Sequence, residues 1–210
     1  MRLTVDNLAV RRGEELILAG LNLEVRAGEA MIVRGPNGAG KSTLLRALGG
    51  LLPAEEGRIE LLERDAEFAD IPVAELAHYL GGDNAMKPAL SVEENLQFWR
   101  DFGAHPHLEI DEALDMVGLD GLQLVPFNHL STGQRRRIGI ARLLVSYRPI
   151  WLLDEPTSGL DAASEKQFSE LMQVHLEDGG LILAATHVPL GLDNPRELIL
   201  QPLELGDVAS

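Results

Sequence analysis

The sequence of 210 residues contains no cysteine, and aromatic residues make up only 4% of it. Without cysteine the chain can form neither a disulfide framework nor a thiolate metal site, and it fits a reducing compartment. Its longest apolar stretches, such as residues 181–185, are far shorter than the roughly 20 residues of a membrane-spanning helix. The first residues alternate apolar and polar positions, which is not the pattern of a secretory signal. We therefore expect a soluble chain whose role at any membrane depends on a partner.

Basic residues are also scarce. Lysine and arginine number 18 against 33 aspartates and glutamates, which gives a formal net charge of -15. A surface of this sign repels phosphate backbones, so we expect no nucleic-acid partner. Hydrophobic residues, by contrast, make up 45% of the chain, which is enough for a sizeable core.

Apolar patterning predicts an α/β fold that carries an antiparallel β part at its N-terminus. Predicted strands cover residues 3–10, 16–25, 30–34, 58–62, 150–153 and 181–185, with one or two more after residue 192. One predicted helix starts directly after Gly40. Four more cover residues 91–102, 111–117, 132–145 and 162–177. The stretch from 84 to 130 shows no strand pattern. We therefore expect one domain over 1–210, with an α/β core from 1–83 and 131–210 and a helical lobe over 84–130.

The most specific motif is a phosphate loop. Gly35-Pro36-Asn37-Gly38-Ala39-Gly40-Lys41-Ser42 matches the loop pattern at every required position, between a predicted strand and a predicted helix. The glycines let backbone N–H groups point at phosphates, and the helix N-terminus adds the positive end of its dipole. Lys41 is expected to reach the β- and γ-phosphates and the Ser42 hydroxyl to bind Mg²⁺, while Thr43 completes the nucleotide-binding set.

A second motif is the apolar strand over residues 150–153, which runs into Asp154 and Glu155. Asp154 is placed to hold Mg²⁺ through its water shell. Glu155, one residue further, can polarise an attacking water as a general base. By itself such a strand end is more often a helix cap, but downstream of a complete phosphate loop it indicates a nucleotide hydrolase.

Leu130-Ser131-Thr132-Gly133-Gln134 opens the predicted helix 132–145, with Ser131 at its N-cap. These five residues alone indicate an ordinary cap. The order of phosphate loop, helical lobe, LSTGQ and acidic strand end, however, resembles the ATP-binding cassette (ABC) ATPases over nearly the whole chain. The resemblance implies a phosphate-loop NTPase fold of ABC type, with a mixed or parallel sheet. It also implies ATP and Mg²⁺ as ligands and a homodimer that hydrolyses ATP only when closed face to face.

The same resemblance assigns further residues. It implies that Ser131, Gly133 and Gln134 contact a nucleotide held by the second subunit. His187, just past the predicted strand 181–185, corresponds to the histidine that contacts the γ-phosphate and the water. Asp161 corresponds to the acidic member of a loop that communicates across the dimer.

Two positions depart from the family pattern. Where the family has a glutamine that senses Mg²⁺, this chain has Asp83, a carboxylate that can still bind the cation. Where the family often stacks an aromatic ring on adenine, this chain has Arg12. A guanidinium plane can stack on a base, so we expect Arg12 to bind adenine.

Several strings, among them Pro149-Ile150-Trp151 and residues 186–190 (THVPL), resemble the haem-exporter ATPase subfamily of cytochrome c maturation. This implies a peripheral ATPase at the cytoplasmic face of a bacterial inner membrane. It also implies separate transmembrane subunits and a role in haem export or in the release of a haem-loaded chaperone. No direct haem site is evident, because His105 and His107, the one close histidine pair, are expected to be solvated surface.

Three other readings fit parts of the sequence. The chain fits an ABC ATPase for another transported substrate, since such subunits contact membrane partners rather than cargo. It also fits a soluble ABC ATPase of iron–sulfur assembly, which is a single cassette as well. A small-molecule kinase would use the phosphate loop, but it leaves LSTGQ and His187 unexplained.

Overall fold

The computed structural model describes residues 1–62, 71–82, 84–102 and 105–203. Its strands are β1 (Arg2–Arg12), β2 (Glu15–Arg26), β3 (Ala30–Arg34), β4 (Glu56–Leu62), β5 (Ala77–Leu80), β6 (Ile150–Asp154), β7 (Leu181–Ala185) and β8 (Arg196–Ile199). Its helices are α1 (Lys41–Leu48), α2 (Val92–Phe102), α3 (Ile110–Asp115), α4 (Thr132–Val145) and α5 (Ala162–Glu177). Among these residues, none of the helices combines the length and the apolar character that crossing a bilayer requires.

The strands form two sheets of different kinds. One is antiparallel, with the order β2-β1-β4, and contains the predicted N-terminal β part. The other has the order β5-β6-β7-β3-β8, and every neighbouring pair in it is parallel. Its strands β3, β6 and β7 are short apolar runs because helices or the antiparallel sheet cover both of their faces. The predicted fold class, an α/β core of ABC type with an antiparallel N-terminal part, is thus confirmed.

Alternate side chains of each parallel strand enter different cores. In β6, Trp151 and Leu153 face the side that α2, α3, α4 and α5 cover. Ile150 and Leu152 face the other side, which holds α1 and the antiparallel sheet. Because all five strands are parallel, their carboxyl ends meet at one edge, and the loops that follow β3, β6 and β7 lie there together.

The helices of the predicted lobe join the same core as one face of the parallel sheet. Helix α2 begins after a capping box in which Ser91 Oγ accepts from Glu94 N and Glu94 Oε2 accepts from Ser91 N. This box and the end of α2 at Phe102 agree with the sequence prediction. Helices α2 and α3 pack against α4, and their buried residues form one continuous cluster with Trp151 and Leu153. The lobe boundaries at 84 and 130 stay a prediction.

Strand β5 has no counterpart among the predicted elements. It is only four residues long, and it lies at the edge of the parallel sheet beside β6. Its second residue, His78, is buried, and its Nε2 lies 2.8 Å from the carbonyl oxygen of Ser146. Burial holds the pKa of His78 well below its usual value. A short strand with a polar residue facing inward has no local signature, so its pairing partner decides its conformation.

Candidate nucleotide site

The phosphate loop connects the end of β3 to the start of α1. Gly40 occupies the N-cap of α1 in a left-handed conformation (φ 93°), and no side chain caps this helix. A Cβ atom at Gly40 would lie 2.8 Å from Leu18 Cδ2, so both the backbone and the packing require glycine. The first N–H groups of α1 therefore keep the capacity to bind an anion, in the direction that the helix dipole favours.

Lys41 is only 9% exposed and lies inside the curl of this loop. Its Nζ donates to the carbonyl oxygens of Gly35 at 2.7 Å and Pro36 at 3.0 Å. These bonds hold the ammonium group against the loop backbone, beside the uncapped start of α1. A phosphate oxygen is a stronger acceptor for an ammonium group than a neutral carbonyl, so the same donor suits a phosphate ligand.

Asp154 ends β6 at the same edge of the sheet. Its Oδ2 accepts a hydrogen bond from the Tyr79 hydroxyl at 3.1 Å, and that hydroxyl accepts from Arg46 Nε at 3.3 Å. Burial raises the pKa of Tyr79, which keeps its phenol protonated as a donor. The other carboxylate oxygen of Asp154 has no hydrogen-bond partner among the described residues. Since oxygen ligands of this kind are those that Mg²⁺ prefers, the residue fits a cation site.

Glu155 follows Asp154 with a positive φ of 45°, a conformation that non-glycine residues rarely adopt. Its N–H donates to the carbonyl oxygen of Ala185 at 2.8 Å, which extends the pairing of β6 with β7 by one residue. Its Oε1 lies 3.9 Å from His187 Nε2, and the two side chains are 45% and 53% exposed. Both groups therefore face the same solvent-accessible space.

These residues line one cavity of about 460 Å³. Its lining consists of Arg12, Glu15, Ile17, Asn37, Gly38, Gly40, Lys41, Ser42, Thr43, Asp154, Glu155 and His187. A neighbouring cavity of about 520 Å³ shares Ser42, Asp154 and Glu155 with it and continues towards the start of α4. The structure thus brings the predicted phosphate loop, the two carboxylates and the histidine together. Their individual roles towards a nucleotide stay predictions.

The two positions that depart from the family pattern are treated differently by the structure. Arg12 ends β1 as an exposed side chain at the rim of the 460 Å³ cavity, where a base could lie against it. Asp83 lies outside the described residues. Its neighbours Gly82 and Asn84 line the second cavity, which also contains Ser42.

The start of α4 lies outside the cavity of the phosphate loop. Ser131 is its N-cap, as the sequence predicts, and it forms a full capping box with Gln134: Ser131 Oγ accepts from Gln134 N, and Gln134 Oε1 accepts from Ser131 N. Neither Ser131 nor Gly133 lines the cavity that holds Lys41. Within one chain, Ser131 and Gly133 thus lie outside the cavity of Lys41, whereas Thr132 lines the neighbouring cavity together with Ser42.

The loop after β6 packs behind this helix start. A Cβ atom at Gly133 would lie 3.1 Å from the carbonyl oxygen of Gly159, so the two backbones are in close contact. Two residues later, Asp161 caps α5, and its Oδ1 accepts from Ser164 N at 2.8 Å. That hydrogen bond lowers the pKa of Asp161 below its ordinary value. The exposed acid predicted to act across the dimer is thus also a helix cap.

Two residues of the site escaped the sequence analysis. Arg136 is buried, and its guanidinium contacts the backbone that follows β6. Tyr79 orients Asp154, as described above. The available signal for Arg136 was its place on the apolar face of α4, with Ile140 and Leu143 at i+4 and i+7. A lone arginine on such a face requires buried partners.

His105 and His107 lie in the segment that runs beside the end of α4. The N–H of His107 donates to the carbonyl oxygen of Val145 at 3.0 Å, and the ring of His107 lies 5.8 Å from that of Tyr147. The described residues contain no cluster of three or more histidine or acidic side chains that could hold a metal ion. Backbone hydrogen bonds of His105 and His107 thus attach this segment to the residues at and after the end of α4.

Comparison with known proteins assigns the chain to a family. The family model described as ABC transporter matches residues 18–158. The cytochrome c biogenesis ATP-binding export protein CcmA of Chelativorans sp. is 56% identical over 94% of this chain and 97% of its own. The protein of that name from Brucella abortus is 54% identical over 92% and 88%.

Among solved structures, a dimeric ATP-binding cassette in a post-hydrolysis state with ADP and phosphate superposes with a TM-score of 0.74 at 27% identity. The match covers 89% of this chain and 88% of that one. The chain is therefore an ATP-binding ATPase of the ABC transporter family, in the same group as the CcmA export proteins of cytochrome c biogenesis.

Proposed function

We propose that the chain is the ATP-hydrolysing subunit of a transporter complex that serves the maturation of c-type cytochromes, by exporting haem or by releasing a haem-loaded chaperone. Support comes from relatives that carry the cytochrome c biogenesis name and are 56% and 54% identical. The observation that carries the enzymatic part is the single cavity in which the phosphate loop meets Glu155 and His187.

In this proposal the nucleotide lies along the 460 Å³ cavity. The phosphates bind the N–H groups of the loop and the start of α1, and Lys41 exchanges its carbonyl partners for phosphate oxygens. Thr43 contributes from the first turn of α1, and Arg12 stacks on the base at the rim.

Ser42 and Asp154, which line the same cavity, would hold Mg²⁺ with a hydroxyl and a carboxylate oxygen. When bound, the cation neutralises charge that develops on the phosphates. Tyr79 keeps Asp154 oriented through the hydrogen bond to its other oxygen. Asp83, the sequence's candidate for a further ligand, belongs to the part of the chain that is not described.

Glu155 acts as the general base that polarises the attacking water, and His187 contacts the same water and the γ-phosphate. Both side chains are about half exposed at the carboxyl ends of neighbouring strands, so a solvent molecule has access to both. The N–H of Glu155 donates to Ala185 and its carbonyl oxygen accepts from Arg136. These two hydrogen bonds fix its backbone, which suits a group that has to keep one orientation.

A second subunit completes the site. Ser131 is exposed, and neither it nor Gly133 lines the chain's own Lys41 cavity, so we expect both to contact a nucleotide bound by another copy. The relative in a post-hydrolysis state is described as a dimer. We infer a homodimer in which each LSTGQ segment closes over the partner's ATP, with Asp161 near the dimer contact.

Separate transmembrane subunits hold this dimer at the cytoplasmic face of a bacterial inner membrane. An exposed apolar patch supports a protein partner: Phe98 and Phe102 stack at 5.7 Å and are 44% and 64% exposed. Leu51, 58% exposed, lines the same groove as Phe102. Exposed aromatic patches of this kind commonly mark interaction sites.

Complementation tests the biological role. A strain that lacks the gene is supplied with the wild-type chain or with Glu155→Gln, and covalently bound haem in its c-type cytochromes is measured by staining after denaturing electrophoresis. The wild type should restore the stain and Glu155→Gln should not. Normal cytochromes in the strain without the gene would contradict the proposal and favour another transported substrate.

The membrane partner is tested by solubilising membranes and identifying the proteins that purify with the chain. We expect integral membrane subunits, and we expect Phe102→Ser to lose them. Val174→Ser is the matched control because Val174 is a 52% exposed apolar residue on α5 that does not line the groove of Phe102. Equal recovery of partners with both variants would show that the patch is not the contact, and recovery of iron–sulfur assembly proteins would overturn the membrane assignment.

A further inference from the structure

The guanidinium of Arg136 is buried at the centre of the site although it belongs to α4, the helix that begins with LSTGQ. It is 5% exposed. It donates to the carbonyl oxygens of three consecutive residues, the last of β6 and the two that follow it: Asp154 at 3.2 Å, Glu155 at 2.7 Å and Pro156 at 2.8 Å. A further N–H donates to the carbonyl oxygen of Gly81 at 2.5 Å, at the end of β5.

All of these acceptors are neutral. The described ion pairs do not include Arg136, and among the described residues its one side-chain acceptor is the amide oxygen of Asn84 at 3.5 Å. Burial lowers the pKa of Arg136, which the nearby charges of Asp154 and Glu155 oppose. A buried charge without an ion-pair partner contributes little to the free energy of unfolding, because its desolvation is costly. Apolar residues in such places often give equal stability. The geometry of its planar set of donors therefore explains the residue better than its charge does.

The turn that Arg136 holds is the unusual one in the site. Glu155 has a φ of 45°, and Arg136 binds the carbonyl oxygens immediately before it, at it and after it. Strained backbone of this type persists only when its surroundings fix it. Because the guanidinium binds carbonyl oxygens and not carboxylates, it leaves the side chains of Asp154 and Glu155 to line the cavity.

We propose that Arg136 is a positioning residue for Glu155: it fixes the backbone turn that directs this carboxylate towards His187 and the water. It does not touch the nucleotide itself. The inference rests on the proposed role of Glu155 as the base. Since Arg136 lies on the same helix as Ser131, it also joins the segment that closes on the partner's nucleotide to the base of its own chain's site.

The first test separates binding from turnover in the complex recovered from membranes. In Arg136→Gln, kcat for ATP should fall by up to about 100-fold, the cost of a misplacement of about 1 Å, while KM and the Kd for ATP stay within about threefold. Arg137→Gln is the control, because Arg137 also donates to backbone carbonyls, those of Val117 and Gly118, but on the lobe side of α4. Its kcat should match the wild type.

Three results would overturn the proposal. One is a wild-type kcat in Arg136→Gln, and another is a loss of ATP affinity equal to the loss of kcat. The third is a wild-type kcat in Arg136→Lys, which would show that a buried charge suffices without the planar donors. Thermal unfolding of each variant shows whether it is folded. If Arg136→Gln does not fold, Arg136→Lys, which keeps the charge and most of the length, decides the question and should show an intermediate loss.

Mixed dimers with a Lys41→Ala chain ask in which site Arg136 acts. Only the chain with an intact Lys41 forms a working cradle, and the other chain contributes only its LSTGQ segment. Placing Arg136→Gln in the chain with the cradle should lower hydrolysis by up to about 100-fold, whereas placing it in the Lys41→Ala chain should leave the rate of the Lys41→Ala and wild-type mixture. The reverse pattern would mean that Arg136 orients Ser131 and not Glu155. A wild-type rate in Glu155→Gln would instead refute the proposed base, whatever Arg136 does.

Discussion

The starts of α1 and α4 are built in opposite ways. Helix α1 begins at a left-handed glycine with no side-chain cap, packed against Leu18. Helix α4 begins at Ser131 with a complete capping box, in which Gln134 returns the hydrogen bond. One start is buried in the chain's own cavity and the other is exposed.

The difference concerns where each helix keeps unsatisfied N–H groups. At α1 no side chain occupies them, so they stay available to water or to a bound anion such as phosphate. At α4 the box already satisfies the N–H groups of Ser131 and Gln134, which leaves those of Thr132 and Gly133. The first start can therefore accept an anion, whereas the second already has a side-chain cap, which fits the proposed role of a surface that closes on a partner.

Glu155→Gln changes neither helix start and should have the largest effect. Loss of a general base is expected to lower kcat by about 10²- to 10⁴-fold. Because both starts still bind the triphosphate, ATP should hold the variant as a dimer, which size-exclusion chromatography with ATP and with ADP would show. A monomer both with ATP and with ADP would contradict this expectation, because it would show that loss of the base does not trap a closed dimer.

Lys41→Ala tests the α1 side of the comparison. Hydrogen bonds to charged groups are worth about 1.5–3 kcal/mol, so ATP should bind about 10- to 100-fold more weakly. Equilibrium binding of a fluorescent ATP analogue measures this. Lys166→Ala on α5, whose side chain is 81% exposed, should bind as the wild type does. Unchanged affinity in Lys41→Ala would mean that the loop backbone alone holds the phosphates.

Gly40→Ala asks whether the left-handed start of α1 is required. Its Cβ would meet Leu18 and Ile17 in addition to the strain of a φ of 93°, so unfolding in urea should show a loss of about 1–3 kcal/mol. Gly13→Ala is the matched control, since Gly13 has a φ of 63° with no atom near the new Cβ. The loss of unfolding free energy in Gly13→Ala should be smaller. Equal losses in the two variants would show that contact with Leu18 and Ile17 does not add to the backbone strain at Gly40.

Ser131→Ala should have the smallest effect on stability and sharpens the α4 side. Removing the cap should cost about 1 kcal/mol of unfolding free energy. Ser91→Ala removes the equivalent capping box of α2 and should cost a similar amount. Only Ser131→Ala should also lower ATP hydrolysis. If the two variants hydrolyse ATP equally, the LSTGQ serine is a cap and nothing more.

Local patterns in the sequence predicted much of the fold. The helix boundaries at Phe102 and Val145 and the buried strands around β6 and β7 agree with the structure, because apolar periodicity and capping residues act over a few residues. Strand β5 was missed, since four residues that include a buried histidine carry no strand pattern. Asp83 was a prediction that the described residues do not address.

By itself the sequence determined the phosphate loop, the acidic end of β6 and the family, because each depends on neighbouring residues in a fixed order. Only the tertiary structure decided that Asp154, Glu155 and His187 share a cavity with that loop, since parallel strands bring distant residues to one edge. It also decided the partners of Arg136, which include Gly81 and Glu155. A buried guanidinium takes whatever carbonyl oxygens the packed chain presents, and no local pattern specifies them.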